Sequence, residues 1–153
     1  MTKESNEFEH VTRAILYKLR ERLGYARVEG SRRYSGQRSQ VKRQIDVTVY
    51  QVDGKKILVE CKLHKRPIDI EYMEAFYYKI YHDIGADGGL MVSSVGFTEG
   101  AMGVADAEKI GAATLNPDAT EYDFLLSIGN LIFGGVSWDF ACRCGICEGK
   151  PQS

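Results

Sequence analysis

The feature that most constrains the fold lies in residues 44–62, QIDVTVYQVDGKKILVECK. In residues 44–51 the apolar Ile45, Val47 and Val49 alternate with Asp46, Thr48 and Tyr50, which is the period of a half-buried strand. Residues 55–62 read as a second strand, and Val52-Asp53-Gly54 between them as the turn of a hairpin. The length of that turn decides what the hairpin presents. A two-residue turn at Asp53-Gly54 places Asp46 opposite Cys61, on the other face from Glu60 and Lys62. A three-residue loop closed by a left-handed glycine pairs Gln51 with Lys55 and Asp46 with Glu60. Gly54 stands where that loop needs it, so the sequence predicts the odd-length loop.

Residues i and i+2 of a strand share a face, so Glu60 and Lys62 project together and Cys61 points away. Charges at the end of Ile57-Leu58-Val59 also suit a strand that has simply reached solvent. Asp46 on the neighbouring strand favours the other reading, because it supplies a second carboxylate. Two carboxylates with a backbone oxygen and water form a hard-oxygen site for Mg²⁺ or Mn²⁺. A cation there polarises a phosphodiester and activates water, while a lysine orients the nucleophile or offsets developing charge. Asp53 is no substitute for Asp46, since seven residues of strand put the hairpin tip about 20 Å from Glu60. Pro67-Ile68-Asp69 reads as a helix start.

Around the hairpin, residues 7–23 read as an amphipathic helix with Phe8, Val11, Ile15, Leu19 and Leu23 on one stripe. Ser5 or Asn6 suits its cap and Gly24 its stop. Residues 25–36 read as a short strand and then a loop, and RRYSGQRSQ has loop composition. Residues 68–84 predict a long helix with Met73, Phe76, Tyr77, Ile80 and Ile84 on one face, ending at Gly85. Residues 88–94 predict a strand buried on both faces. Thr98 caps a helix to about 110, and 113–115 is a last short strand. Residues 121–133 read as one more helix. This order predicts an α/β fold whose central mixed sheet joins an antiparallel meander to parallel strands, flanked by helices.

With 153 residues the chain fits one domain and buries a real core. No apolar run reaches the roughly 18 residues of a membrane span, and the polar start MTKESNEFEH is not a secretory signal. Of the four cysteines, Cys142, Cys144 and Cys147 crowd one short tail and Cys61 stands alone, which suits a reducing cytoplasm better than a disulfide framework. The formal net charge of -1 excludes a protein that coats nucleic acid with its whole surface. The charge is polarised, however. Residues 26–43 carry Arg27, Arg32, Arg33, Arg38, Lys42 and Arg43 against one acid, Glu29, and lead into the strand that bears Asp46. An ordinary solvated loop has this composition too, but its place beside Asp46 favours phosphate binding.

The segments QIDVTVYQVDGKKILVECKLHKRPIDIEYMEAF and GGLMVSSVGFTEGAMGVADAEKIGAATL resemble the PD-(D/E)xK nuclease superfamily, and within it the Mrr-like restriction endonuclease group. The resemblance runs over about residues 8–115. It implies a restriction-endonuclease-like fold with Asp46 as the motif's aspartate, Glu60 as its acidic residue and Lys62 as its lysine. It also implies that the "FE" of the first helix sets Glu9 near the metal, with Glu7 the competing candidate and a solvated helix position the plainer reading. Ile45 stands where the motif has proline, a departure the family tolerates. The implied activity is a Mg²⁺- or Mn²⁺-dependent endodeoxyribonuclease of restriction or genome defence, acting on double-stranded DNA away from membranes and compatible with a homodimer. The nuclease domain is expected over residues 1–135, with a Cys-rich tail over 136–153. Two alternatives stay open: a catalytically silent module that binds DNA or a partner, and a junction resolvase or RNA-processing nuclease of the same fold.

Other residues read more plainly. Lys79 and His82 have a reading in which they face the site from the second helix, but solvent exposure is the plainer one, and Tyr72, Tyr77, Tyr78 and Tyr81 read as packing rather than base-stacking groups. Ser93, Ser94 and Thr98 suit turns and a cap, although a helix N-terminus at Thr98 also suits a phosphate. The spacing of Cys142, Cys144 and Cys147 suits structural Zn²⁺ but gives three ligands where a closed site takes four. Cys61 belongs to the sheet, which leaves His64, His82, Asp139, Glu148 or a partner chain as the fourth, and free thiols as the alternative.

Overall fold

The computed structural model describes residues 2–20 and 24–116. The helix expected over 121–133, the cysteines Cys142, Cys144 and Cys147, the ligand candidates Asp139 and Glu148, and Leu23 lie outside the described residues.

Helix α1 spans Lys3–Leu19 and starts earlier than its apolar stripe suggested, because Thr2 caps it by accepting from the Ser5 N–H at 3.1 Å. Strands β1 (Tyr25–Glu29), β2 (Arg32–Ser35), β3 (Lys42–Ile45), β4 (Val47–Gln51) and β5 (Lys56–Lys62) follow. Helix α2 (Ile70–Tyr77) continues into a π-helical segment, Tyr78–Ile84, ended by Gly85 at φ +81°. Asp69 caps α2 through the Tyr72 N–H. Strand β6 (Gly88–Ser93), helix α3 (Glu99–Glu108), capped by Thr98, and strand β7 (Ile110–Thr114) complete the described chain.

Among the described residues, five strands form one sheet in the order β1-β4-β5-β6-β7, and β2 pairs with β3 in a separate ribbon. β1-β4-β5 is antiparallel and β5-β6-β7 parallel, which is the expected mixed sheet. Both faces are covered. Phe8, Ile15 and Leu16 of α1 pack against Val47, Val49, Val59, Leu90 and Val92. Met73, Phe76 and Ile80 pack on the other face against Leu58, Met91 and Ile110. Each large side chain taken fully out of water contributes roughly 1.5–3 kcal/mol, so these two layers hold the sheet in place.

Two expectations are corrected. Residues 44–51 are not one strand: the backbone bends at Asp46, Ile45 joins the α2-side core, and Val47 and Val49 join the α1-side core. RRYSGQRSQ is not all loop either, for Arg32–Ser35 is β2, with Tyr34 buried and its hydroxyl 2.7 Å from Thr48 Oγ1.

Candidate active site

The β4–β5 loop has three residues. The Gln51 N–H donates to Lys55 O at 2.8 Å, the Gly54 N–H donates to Gln51 O at 2.9 Å, and Gly54 takes φ +89°. The paired residues are Val47 with Val59, Thr48 with Leu58, and Val49 with Ile57. The ladder ends at that first pair, and the bend before it leaves Asp46 beside the Glu60 end of β5, close enough for the two charges to act on each other. The Asp46 carboxylate accepts the Cys61 N–H at 2.8 Å, which ties the bend to β5.

Asp46 is largely out of solvent. Burial first, and the Glu60 charge with it, raise its pKa above the usual carboxylate value, against the pull of the Cys61 N–H, Lys62 and Lys79. Glu60 is only 7% exposed. Lys62 lies with its ammonium 5.1 Å above the Tyr72 ring. Burial disfavours its charge, but Glu60, Tyr72 and Asp46 outweigh that and raise its pKa, so Lys62 is cationic at neutral pH. On α1, Glu9 is half-buried and Glu7 exposed. Burial and then the Asp46 charge raise the Glu9 pKa from 4.5 to about 7, with Arg13 opposing. Glu9 is thus the acid of the first helix that feels Asp46.

Cys61 faces the α1-side core. Burial and the Asp46 charge push its thiol pKa up, which disfavours the thiolate. The donors left at the site are hard oxygens, the set that Mg²⁺ or Mn²⁺ takes, and Asp46 and Glu60 are two like charges short of water. These residues fit a divalent cation. Among the described residues no cluster of three or more His, Cys, Asp or Glu stands ready as a metal cage.

A cleft of about 250 Å³ opens beside Glu60, lined by Arg43, Lys62, Tyr72, Phe76 and Lys79. Lys79 was expected in solvent; it is 19% exposed and bonds Glu60 Oε1 at 2.5 Å. Tyr72, Ala75, Phe76 and Lys79 recur at i, i+3, i+4 and i+7, one helical stripe, and that spacing was the signal available in the sequence. His82 is exposed, as expected, with its ring against Tyr77 and Tyr78.

The basic segment divides into three groups. Arg43 is 29% exposed and anchored, its Nε 2.7 Å from Asp83 Oδ2. Asp83 is fully buried in the π segment and also accepts the Ser39 hydroxyl at 2.6 Å and the Arg38 and Ser39 N–H groups. These bonds hold its pKa far below the usual carboxylate value. Arg27 and Arg32 share Glu29 and lie over Tyr50 and Tyr34 respectively. Arg33, Arg38 and Lys42 are exposed, and Lys42 bonds the Ser35 hydroxyl. Ser93 and Ser94 serve as turn residues, bonding Gly96 and His64.

A mixed sheet that brings an aspartate beside an E-x-K strand, between a first helix and a second one, defines a restriction-endonuclease-like core. A family profile for restriction endonucleases, of the Mrr catalytic type, matches residues 2–116, and the chain belongs to that family. Among solved structures, a protein of unknown function, AF1548, superposes with TM-score 0.61 at 20% identity, covering 81% of this chain and 66% of its own. The protein VC1899 from Vibrio cholerae gives TM-score 0.61 at 12% identity, over 84% of this chain and 34% of its own. The MspJI restriction endonuclease, in complex with a 27-mer oligonucleotide, gives 0.51 at 13% identity, over 90% and 31%. At these identities the likeness is one of fold, and the chain spans from 31% to 66% of the length of these three structures. No curated protein matches the sequence.

Proposed function

We propose that this chain is a divalent-metal-dependent endonuclease that hydrolyses phosphodiester bonds of double-stranded DNA, in restriction or genome defence. The observation that carries the reading is the hairpin with its three-residue loop, in which the Asp46 carboxylate bonds the Cys61 N–H and so lies beside Glu60, with Lys62 two residues on. Asp46 and Glu60 would hold Mg²⁺ or Mn²⁺, with Glu9 a third acid close by. Such an ion, when bound, polarises the phosphodiester and lowers the pKa of a water. Lys62 offsets charge that develops on the phosphoryl oxygens or orients the water. Arg43 gives Asp83 its Nε and keeps its terminal N–H groups for a phosphate in the cleft. The exposed Arg33, Arg38 and Lys42 extend that contact along the duplex backbone. The family assignment and the oligonucleotide held by MspJI support DNA as the substrate.

The rival is a binding module that cuts nothing, and one observation favours it: Glu60 already has a cationic partner in Lys79. Incubating supercoiled plasmid with the protein separates the two readings. We expect nicked or linear DNA with Mg²⁺ or Mn²⁺ and none with EDTA. Intact plasmid under every metal leaves the binding module.

A further inference from the structure

Glu60 is bonded to a residue that neither the E-x-K spacing nor the family assignment nominates. Lys62, two residues along the same strand, leans over Tyr72, while Lys79 reaches from the first turn of the π segment to Glu60 Oε1 at 2.5 Å. Both side chains of the pair are mostly buried, at 19% and 10% exposure, so water screens the contact weakly. Buried cations are rare unless paired, and this one takes an oxygen that a divalent cation would need. Three cationic residues, Arg43, Lys62 and Lys79, line the cleft beside Glu60, and Arg43 is tied down by Asp83. Lys79 has a flexible four-carbon stem and three rotatable donors, so it is the one able to leave Glu60 for the open side of the cleft.

We infer that Lys79 is a displaceable counter-ion of the active site, holding the Glu60 carboxylate until a divalent cation takes its place. The inference rests on the metal-dependent reading above. In this arrangement Lys79 competes with the metal, keeps Glu60 neutralised while the site is empty, and sets a threshold for loading. It is a positioning residue acting through Glu60.

Titration calorimetry with Mn²⁺ and the full chain, without DNA, tests this. Lys79→Met keeps the apolar stem and removes the charge, and it should bind Mn²⁺ roughly tenfold or more tightly than wild type, the scale of a partly desolvated ion pair. Loss of any nearby positive charge favours a cation, so Lys62→Met is the control. It removes an equal charge from the same cleft without freeing a Glu60 oxygen, and should gain far less. Lys79→Arg keeps a charge-assisted bond to Glu60 and should bind Mn²⁺ no better than wild type, a contrast that packing damage does not produce. Equal gains for the methionine variants at 62 and 79, or none at 79, overturn the inference and leave the metal site standing. No Mn²⁺ bound by wild type or Lys79→Met overturns both. Binding by Lys79→Met alone supports the inference most strongly, provided that Glu60→Gln in that background abolishes it.

Discussion

At the scale of single residues, the site depends on charges held together against their own repulsion. Asp46 feels the Glu60 charge, with Lys62 and Lys79 as near counter-charges. Asp46→Ala and Glu60→Ala should each slow metal-dependent cleavage by at least about a hundredfold, or about 2.7 kcal/mol of barrier. Lys62→Ala should cost roughly 10²–10³ in kcat without weakening Mn²⁺ binding, because a protonated lysine offers no lone pair. Wild-type cleavage rates in all three variants would remove the assignment. Glu9 gives a second test, through pH. Burial and Asp46 raise its pKa from 4.5 to about 7 on folding, so the folded chain holds that proton more tightly than the unfolded one. Its contribution to stability therefore falls as pH rises through that window and levels off above it. Urea midpoints across about pH 5 to pH 8 should fall less steeply in Glu9→Gln than in wild type; parallel profiles would show that Glu9 is solvated after all. The nearness of Asp46 to Glu60 and Lys62 was legible because a strand has period two and the turn length fixes its phase. Lys79 was not, because a lysine on a helix reads as solvent-facing until the helix is docked.

At the scale of elements, the same reasoning shows where periodicity stops informing. Ile45, Val47 and Val49 alternate without a break in sequence, yet the chain bends at Asp46 between them. Both faces of the sheet carry a core, so an apolar residue is satisfied on either side and the pattern cannot report the bend. β2 was hidden for another reason: in a four-residue ribbon with one buried side chain, Tyr34, there is too little alternation to see. Asp83 was legible only in hindsight, as the one acid between the buried Ile80 and Ile84 facing a segment rich in arginine. The helical element matters to the site because its π segment must lie close on β6 for Lys79 to reach Glu60. Gly89 permits that approach, for a Cβ there would run into Ile80 Cδ1 and sit 3.2 Å from the Phe76 ring. Gly89→Ala should destabilise the fold by about 1–3 kcal/mol through overpacking. A thermal or urea denaturation series reads this directly, and a variant as stable as wild type would mean that α2 is not seated as described.

At the scale of the molecule, a formal charge of -1 hides an uneven surface. The acids nearest the basic segment and the cleft are engaged: Glu29 with Arg27 and Arg32, Asp83 with Arg43, Glu60 with Lys79. The charges left to act at a distance on the β2–β3 ribbon and its loop are those of exposed residues, chiefly Arg33 and Arg38. Among the described residues neither makes an ion pair. The ribbon starts beside the site, since Arg32 pairs with Ile45, the residue before Asp46, and its loop is pinned to the π segment by Asp83. A duplex whose phosphate lies in the Glu60 cleft would therefore meet a rigid basic arm. Each phosphate contact releases counter-ions and adds about 0.9 to the slope of log affinity against log salt. Replacing Arg33 and Arg38 together by glutamine should weaken binding of all duplex sequences alike and lower that slope by about two. Arg27→Gln should change the slope far less, because Glu29 already offsets that charge and the guanidinium is stacked on Tyr50. Fluorescence anisotropy with two unrelated duplexes at several salt concentrations measures both. An unchanged slope in the double variant would place the duplex on another face, and a loss confined to one of the two sequences would make Arg33 and Arg38 readers of bases.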